Sequence, residues 1–395
     1  MSMDLRLAAI SVSLIAFLST SAQTEDLINL EFGTLENFDV ATWNIEFFPK
    51  DGQNTIDYMV ELVEELELDV IAIQEIDNAE RFQDLIDLLQ GYDGFYQDSE
   101  FLGLGYLYNN QSVEVNAVYN IYEAGIYGNP FPRRPMVMEL TFMGEHDFVI
   151  INNHFKCCGN GFLNSGDFWD EETRRAYASE LLKEYMDTSH QDDNVIMLGD
   201  LNDLLTDNVQ NNVFQVFYDS SNEYLFADQE IAEGSASQWS FPSWPSHLDH
   251  ILISNELYSV LEDDETRIET IQIDDFFPGG FNGYEDIVSD HLPVAIGFNP
   301  ENILPLASRE DRRLTENVNL FPNPANRSVF LSGLSKGGVM KIQIINQLGQ
   351  IVLEKTLSNY GDTIELDLGN QPKGLYLING TLSSGNTFLK KLVLQ

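Results

Sequence analysis

Short runs of apolar residues recur between residues 38 and 298, and most of them are rich in Val, Ile, Phe and Tyr. Runs of this length and composition predict β-strands. We expect strands at 40–47, 70–74, 102–108, 113–119, 136–142, 148–155, 195–198, 250–253 and 292–298. Apolar residues return with helical spacing around 56–66, 82–89 and 171–186. Strands interleaved with helices in this way favour an α/β or α+β sandwich over a Rossmann sheet.

The pattern changes after residue 299. Residues 300–316 are polar, carry mixed charge and include Pro300 and Pro305, so they predict a linker. Residues 317–395 contain strand-like stretches separated by turn residues, with almost no helical periodicity. The predicted architecture is therefore an α/β domain over 34–299, followed by a small all-β sandwich domain over 317–395.

The first residues resemble an export signal. Arg6 precedes an apolar run over 7–18, and the small residues at 20–22 offer a cleavage site. This order predicts a signal peptide over 1–22, and the alternative is a buried first helix. The run is too short to span a bilayer, and no later stretch reaches the roughly 20 apolar residues that a span requires. We therefore expect no stable membrane insertion.

The formal net charge is -44, and it is unevenly distributed. Residues 318–395 hold seven Lys or Arg against four Asp or Glu, so the negative excess lies in the preceding residues, which supports a domain boundary. Such acidity argues against a broad basic face for duplex DNA. Among the few basic residues of 34–299, Arg134, Lys156 and Arg174 are the candidates for substrate binding. The alternative is a solvated acidic surface with scattered ion pairs.

Two adjacent cysteines, Cys157 and Cys158, follow one of the predicted strands. A vicinal disulfide between them would be geometrically strained, so we favour two free thiols.

Polar residues gather where the predicted apolar strands begin or end. Six clusters of acid, amide and imidazole residues stand at these positions: Trp43-Asn44, Gln74-Glu75, Asn152-Asn153-His154, Gly199-Asp200-Leu201-Asn202, His247-Leu248-Asp249-His250 and Ser289-Asp290-His291. A site built along one rim of a sandwich requires such an arrangement.

The composition of these clusters predicts a site for a hard divalent cation. Such a cation prefers carboxylate and amide oxygens, and Asn44, Glu75 and Asp290 supply them. A cation held there would neutralise the charge of a phosphate ester during hydrolysis.

The remaining polar residues predict the hydrolytic groups. Asp200 can deprotonate and aim a water, while Asn202 holds that water or the developing charge. The imidazoles of His154 and His291 can donate to phosphoryl oxygens. Each imidazole needs an orienting acid, and Asp249 is the candidate for one of the two.

The six clusters, in this order, are where the chain resembles the endonuclease/exonuclease/phosphatase family, whose members include deoxyribonuclease I, abasic-site endonucleases, inositol phosphatases and sphingomyelinases. The resemblance covers about residues 38–298. It implies a four-layer α/β sandwich, in-line attack by water, and Mg²⁺ or Mn²⁺ as cofactor, with Ca²⁺ as an alternative. It also implies the roles assigned above, with Glu75 as metal ligand and Asp200 as the group that activates water.

The chain departs from the family pattern in places. No second orienting carboxylate for His154 is evident in the motifs, and Glu123 is the candidate outside them. His250 stands where the family often has an aromatic residue or Arg, so we interpret it as structural. Phe241 and Trp244 are interpreted as strand packing, with substrate stacking as the alternative.

The last residues resemble the sorting domain of type IX secretion in Bacteroidetes-type bacteria. The resemblance covers about 317–395 and rests on Leu320-Phe321-Pro322-Asn323-Pro324-Ala325, Ile342–Gln350, Pro372-Lys373-Gly374-Leu375-Tyr376 and Lys390-Lys391-Leu392-Val393-Leu394. It implies the type IX secretion machinery as a partner and a secreted or cell-surface attached protein.

The leading hypothesis is a secreted, metal-dependent endonuclease that hydrolyses extracellular DNA or RNA. A phosphatase or lipid phosphodiesterase of the same fold is the runner-up. A non-catalytic surface binding protein is the third hypothesis, and it would predict losses among the motif residues, none of which is missing. We expect a monomer.

Overall fold

The computed structural model describes residues 30, 32–97, 102–123, 125–303, 319–332, 339–346, 350–358, 363–369, 371–381 and 387–395. The predicted signal peptide, residues 1–22, lies outside the described residues, as do residues 304–316 of the predicted linker. The first linker residues, Pro300–Asn302, form a 3₁₀ turn. Ile303 then packs against the core of the preceding domain.

The described part of residues 38–298 alternates strands and helices. The strands are β1 (Phe38–Phe48), β2 (Val70–Ile76), β3 (Tyr92–Tyr96), β4 (Gly103–Asn109), β5 (Val113–Asn120), β6 (Met136–Phe142), β7 (His146–His154), β8 (Val195–Asp200), β9 (Tyr224–Phe226), β10 (Asp249–Ser254), β11 (Arg267–Thr270) and β12 (Val294–Phe298). The helices are α1 (Gln53–Leu66), α2 (Ala79–Leu88), α3 (Glu171–Ser189), α4 (Gln215–Tyr218), α5 (Gln229–Glu233) and α6 (Phe281–Ile287).

These strands form two sheets that stack face to face. The first has the order β11-β12-β1-β2-β4-β3 and the second the order β5-β6-β7-β8-β10-β9. Apolar side chains from the two inner faces, such as Val40 and Ile196, form one shared core. Helices α1 and α2 cover the outer face of the first sheet, and α3 covers that of the second. The predicted four-layer α/β sandwich is confirmed. Among the described residues, no helix is long and apolar enough to cross a bilayer.

Local sequence explains where the helices form. In α1 the buried residues Ile56, Met59 and Val63 return every three to four positions and face the sheet. Helix α2 begins after Asn78, whose side chain accepts a hydrogen bond from the Arg81 N–H. Helix α3 begins after Asp170, which caps the Thr173 N–H in the same way.

Three strands were not predicted, namely β3, β9 and β11. Each lies at the edge of its sheet, where only one side has a strand neighbour. Strands β3 and β11 mix buried positions with exposed or partly exposed ones, and β9 has only three residues. An edge strand of this kind lacks the long apolar run by which the central strands were recognised.

The strand register gathers the polar strand ends at one rim. Strands β1 and β2 are parallel and pair Asn44 with Gln74, and β7 and β8 are parallel and pair His154 with Asp200. Strand β10 is antiparallel to β8 and pairs its first residue, Asp249, with Asp200. Gly199 permits the close approach of β7 and β8, since a Cβ there would lie 2.0 Å from the Asn153 carbonyl oxygen.

The C-terminal domain is built from strands alone within its described residues. The strands are β13 (Asn319–Phe321), β14 (Ser328–Ser332), β15 (Val339–Asn346), β16 (Ile351–Ser358), β17 (Thr363–Asp367), β18 (Gly374–Thr381) and β19 (Thr387–Leu394). They form sheets of order β13-β14-β17 and β16-β15-β18-β19. Their shared core includes Val329, Ile342 and Leu392, so the predicted all-β domain is confirmed.

Two buried carboxyl groups lie side by side near the start of β1 and β2. Asp39 is 1% exposed and Asp69 is 5% exposed, and the Asp39 N–H donates to Asp69 Oδ2 at 2.9 Å. Burial raises the pKa of Asp39 to about 7, and the nearby Asp69 charge adds to the increase. Burial likewise raises the pKa of Asp69 to about 6. Both carboxyl groups therefore hold protons more tightly in the folded protein than in the unfolded chain.

This excess of bound protons predicts that the free energy of unfolding falls as pH rises from about 4 to about 7, where folded Asp39 titrates. We expect Asp39→Asn to increase the free energy of unfolding by about 1–4 kcal/mol at pH 8, and by less at pH 5.5. Urea unfolding followed by Trp fluorescence measures the effect, because all four Trp residues precede residue 299. The exposed Asp286→Asn serves as control. An equal gain at both pH values, or a loss at pH 8, would contradict the prediction.

Candidate active site

A cavity of about 530 Å³ opens at the rim where the polar strand ends meet. Six of the predicted catalytic and metal-binding residues line it: Glu75, His154, Asp200, Asn202, Asp290 and His291. The other two lie directly behind this lining, because Asn44 is hydrogen-bonded to Asp200 and Asp249 to His291. The fold thus brings together residues that lie up to 247 positions apart in the sequence.

Asp200 occupies the centre of the site. Its Oδ2 accepts a hydrogen bond from Asn44 Nδ2 at 3.0 Å and lies 3.4 Å from His154 Nε2 and 3.9 Å from His291 Nε2. Its Oδ1 accepts from the Asn202 N–H at 3.1 Å. Burial raises the pKa of Asp200 to about 7, although the nearby positive charge of His291 opposes the increase. One carboxylate is thus aimed at a point that two imidazoles also face.

His291 is held by Asp249, as the sequence predicted for one of the two histidines. His291 Nδ1 lies 2.7 Å from Asp249 Oδ2, which leaves Nε2 to face the cavity. Burial alone would lower the pKa of His291, but the Asp249 carboxylate beside it raises that pKa to about 10. His291 is therefore a positively charged donor at neutral pH.

His154 has a different environment. Its Nε2 lies near Asp200 and 3.8 Å from Glu75 Oε1, but its Nδ1 has no hydrogen-bond partner among the described residues. Burial, together with the positive charges of Arg133 and His291, holds the pKa of His154 well below its usual range. Glu123, the candidate for orienting His154, lies instead beside Arg134, with 3.9 Å between Glu123 Oε1 and Arg134 Nη1.

Carboxylates collect on the wall of the cavity next to these imidazoles. Glu75 accepts from Asn44 Nδ2 and from the Phe47 N–H, and the Asp290 N–H donates to Glu46 Oε2 at 2.9 Å. Burial and the negative charges of Glu46 and Glu75 raise the pKa of Asp290 to about 6, despite the nearby His291 charge. These are hard oxygen donors with an excess of negative charge, so they fit a divalent cation such as Mg²⁺ or Mn²⁺. Glu46 was not predicted as a site residue, because it lies outside the Trp43-Asn44 motif, two positions further along β1.

The backbone at this wall is strained. Glu46, Phe47 and Glu75 have positive φ angles of 27°, 50° and 67°, and Asn202 has a φ of 54°. Residues other than Gly rarely adopt positive φ angles, and the residues that do so cluster at functional sites. All four of these residues line the cavity.

The segment that carries Asp290 and His291 is fixed to β1. Ser289 Oγ donates to the Asn44 carbonyl oxygen at 2.6 Å and accepts from the His291 N–H at 3.0 Å. The Tyr284 hydroxyl accepts from Trp43 Nε1 at 2.9 Å and donates to the His291 carbonyl oxygen. The Trp43-Asn44 and Ser289-Asp290-His291 motifs are therefore one structural unit.

The three residues predicted to bind substrate do not reach the cavity. Lys156 Nζ donates to the Cys157 carbonyl oxygen at 2.9 Å, Arg174 Nε donates to the Asn129 carbonyl oxygen at 2.7 Å, and Arg134 lies beside Glu123. None of the three is among the described residues that line the cavity. Nearness in sequence to the His154 motif did not place their charges in the site, because local acceptors hold two of them.

Aromatic side chains border the cavity instead. The Phe241 ring lies over the His291 imidazole with 4.7 Å between ring centroids. Phe47 and Trp244 also line the cavity, and Trp244 is 79% exposed. Interpreting Trp244 as strand packing was therefore wrong.

Cys157 and Cys158, which also line the cavity, are free thiols as expected.

Comparisons with known proteins agree with this geometry. Residues 41–291 match the model of the Endonuclease/Exonuclease/phosphatase family, and residues 319–395 match the secretion system C-terminal sorting domain. No curated protein matches the chain in sequence.

Solved structures show a distant likeness. TDP2 from D. rerio, complexed with single strand DNA product, is 13% identical with a TM-score of 0.49, covering 67% of this chain and 99% of that chain. The catalytic domain of human Nocturnin with bound sulfate is 17% identical with a TM-score of 0.47, covering 67% and 93%. An endonuclease/exonuclease/phosphatase from Bacteroides vulgatus is 14% identical with a TM-score of 0.45, covering 66% and 98%.

The family match covers more than half of the chain, and it spans all six predicted motifs. The chain therefore belongs to the endonuclease/exonuclease/phosphatase family, as a phosphoester hydrolase whose C-terminal sorting domain marks it as secreted or attached to the cell surface.

Proposed function

We propose that the protein is a metal-dependent phosphodiesterase that cuts extracellular nucleic acid internally. The observation that carries the proposal is the position of Asp200, whose carboxylate oxygen lies within 4 Å of both His154 Nε2 and His291 Nε2. A base and two imidazoles that face one point are suited to attack by water on a phosphorus atom whose oxygens need stabilisation.

In this proposal Glu75 and Asp290 hold the cation, and Asn44 supports it. The cation is Mg²⁺ or Mn²⁺, with Ca²⁺ as an alternative, because each prefers oxygen donors of this kind. When bound, it supplies a positive charge that neutralises the phosphate. The carboxylates of Glu46, Glu75 and Asp290 together exceed the local positive charge, since Lys50 is already paired with Glu46.

Asp200 is the proposed general base. Asn44 and the Asn202 N–H each bind one of its oxygens, so the carboxylate cannot rotate away from the water that it deprotonates. The Asn202 side chain is held near the Phe155 carbonyl oxygen and also lines the cavity. It is therefore placed to orient the water or a phosphoryl oxygen.

His291 and His154 are the proposed donors to the phosphoryl oxygens. Asp249 fixes the ring of His291 through Nδ1, so that Nε2–H points into the cavity. The charge on His291 makes this donor stronger than a neutral one in the transition state, where negative charge increases. His154 presents its Nε2 to the same space and completes the pair.

The cavity favours a phosphodiester over a phosphomonoester. A monoester dianion needs more cationic partners, yet Arg175 is the only Lys or Arg among the described residues that line the cavity. Its guanidinium is bound by Asp203 at 2.8 Å. The exposed rings of Phe47 and Trp244 at the rim offer stacking surfaces for bases. These features support a nucleic acid as substrate.

A lipid substrate receives less support. The aromatic loop at 276–281 has the side chains that a membrane-touching segment would use, but Phe277 is buried, and Phe276 and Phe281 are partly buried against the core. Its aromatic side chains are thus committed to packing rather than to a lipid surface. A phosphatase or lipid phosphodiesterase remains the alternative function.

We expect the mature chain to nick supercoiled plasmid and to hydrolyse bis-p-nitrophenyl phosphate with Mg²⁺ or Mn²⁺, but not with EDTA. Asp200→Asn and His291→Gln should each lower kcat by about 10²- to 10⁴-fold, since each removes a group acting in the transition state. His190→Gln is the matched control, because His190 pairs with Asp193 outside this cavity. Full activity in both site variants would refute the assignment. Faster turnover of p-nitrophenyl phosphate or sphingomyelin than of any diester would favour the alternative function.

Glu75→Gln should weaken the binding of the cation. We expect the Mn²⁺ concentration for half-maximal binding, measured by electron paramagnetic resonance, to rise by at least about tenfold. Glu65→Gln, on the exposed face of α1, should leave binding unchanged. Unchanged Mn²⁺ affinity in Glu75→Gln, with affinity lost in Asp290→Asn, would mean that Glu75 is not a ligand.

A further inference from the structure

A second polar cluster lies behind the active site and does not line its cavity. Asp228, His247 and His250 are each at most 1% exposed. Asp228 Oδ2 lies 3.0 Å from His247 Nε2 and 2.6 Å from His250 Nδ1, and Asp228 Oδ1 accepts from the Ile251 N–H at 2.9 Å. One buried carboxylate is thus shared by two imidazoles.

Hydrogen-bond partners decide the protonation of His250. Its Nε2 lies 2.9 Å from the Asp203 carbonyl oxygen, and a carbonyl oxygen can only accept, so Nε2 carries a hydrogen. Its Nδ1 faces the Asp228 carboxylate and carries a hydrogen as well. Burial opposes the charge, but the Asp228 carboxylate raises the pKa of His250 above its usual value. His250 is therefore an imidazolium, enclosed by the rings of Phe214 and Phe226.

His247 is neutral and has a fixed tautomer. Its Nδ1 accepts from the Ser240 N–H at 3.3 Å, so its hydrogen is on Nε2 and is donated to Asp228. Burial lowers the pKa of His247, in agreement with this assignment. Because every nitrogen and oxygen of the cluster has its own hydrogen-bond partner, the cluster is a hydrogen-bond network rather than a cation site.

One arm of this network leads to the segment that follows Asp200, the proposed general base. His250 fixes the Asp203 backbone, three positions after Asp200, and Asp203 Oδ2 accepts from Arg175 Nε at 2.8 Å. Arg175 Nη1 then donates to the carbonyl oxygens of Lys156 and Cys158, both at 2.7 Å. The hydrogen bonds of His250 and Arg175 therefore connect the segment that follows Asp200 to the segment that follows His154.

The other arm leads to Asp249 and to His291, the proposed donor that Asp249 holds. Ser240 Oγ accepts from the N–H groups of Leu248 and Asp249, both at 3.2 Å. The Ser240 carbonyl oxygen accepts from the Leu292 N–H at 2.8 Å. Since His247 binds Ser240, this arm fixes the backbone of Asp249 and of the residue after His291.

We propose that Asp228, shared by the imidazolium of His250 and the neutral His247, is a positioning residue that sets the Asp200 and His291 halves of the site relative to each other. The kinetic test of this role rests on the phosphodiesterase activity proposed above. The role itself is to keep the proposed base and the proposed donor converging on one point.

Chemical rescue of His250→Gly tests the proposal. The variant should lower kcat on bis-p-nitrophenyl phosphate by about 10- to 100-fold without changing KM. Added 4-methylimidazole, which replaces the lost side chain with both N–H groups as an imidazolium, should restore most of kcat. Added 1-methylimidazole is similar in size but has only one N–H, so it should not. Wild type and His190→Gly, a matched His–Asp pair elsewhere, should respond to neither compound.

Equal rescue by both compounds would show that His250 only fills space, and an unchanged kcat in His250→Gly would also overturn the proposal. If that variant fails to fold, Asp228→Asn with ¹⁵N histidine NMR provides the second test. The wild type should show two protonated nitrogens on His250 at pH 8, and Asp228→Asn should lose one of them together with kcat. A neutral His250 in the wild type would overturn the proposal. This NMR result does not depend on the substrate, so it separates failure of the proposal from failure of the proposed phosphodiesterase.

Discussion

The whole site depends on the packing of two sheets against each other through their apolar inner faces. Side chains such as Phe38, Val40 and Ile150 face this shared core and alternate with positions that face the helices, so a shift of one residue in either sheet would exchange the two sets of buried side chains. That constraint fixes the register. With the register fixed, β1 of one sheet and β8 of the other end at the same rim, where Asn44 donates to Asp200 across the two sheets. The chemistry is a consequence of core packing.

Buried charge is the second constraint, and the protein meets it by pairing. His291 is matched by Asp249, His250 by Asp228, and Arg175 by Asp203. Each pair offsets a desolvation cost that either partner alone would impose on folding. In the described part of the chain, the buried carboxyl groups of Asp39 and Asp69 are not paired with cations, and the carboxylates of the cavity exceed the nearby positive charge. In the cavity, the unbalanced carboxylates are hard oxygen donors, which suit a divalent cation.

The sequence predicted those parts of the structure that follow directly from the local pattern of apolar and polar residues. Long apolar runs marked the central strands, and polar residues at the ends of those runs marked Asn44, Glu75, Asp200 and His291. It failed where structure arises from distant contacts. Edge strands such as Arg267–Thr270 lack an apolar run, and the charges of Lys156 and Arg174 are taken up by carbonyl oxygens that no pattern reveals. The shared role of Asp228 depends on partners 19 and 22 residues away, so no local spacing could have shown it.

The acidity of the chain bears on how such an enzyme would act on a polyanion. A net charge of -44 repels nucleic acid at long range, but salt screens exposed charges beyond about 8–10 Å. Under the proposed function, binding would therefore come from contacts at the cavity: the cation, the His291 donor and the rings of Phe47 and Trp244. Under the proposed function, the same negative charge would favour release of the cleaved strand.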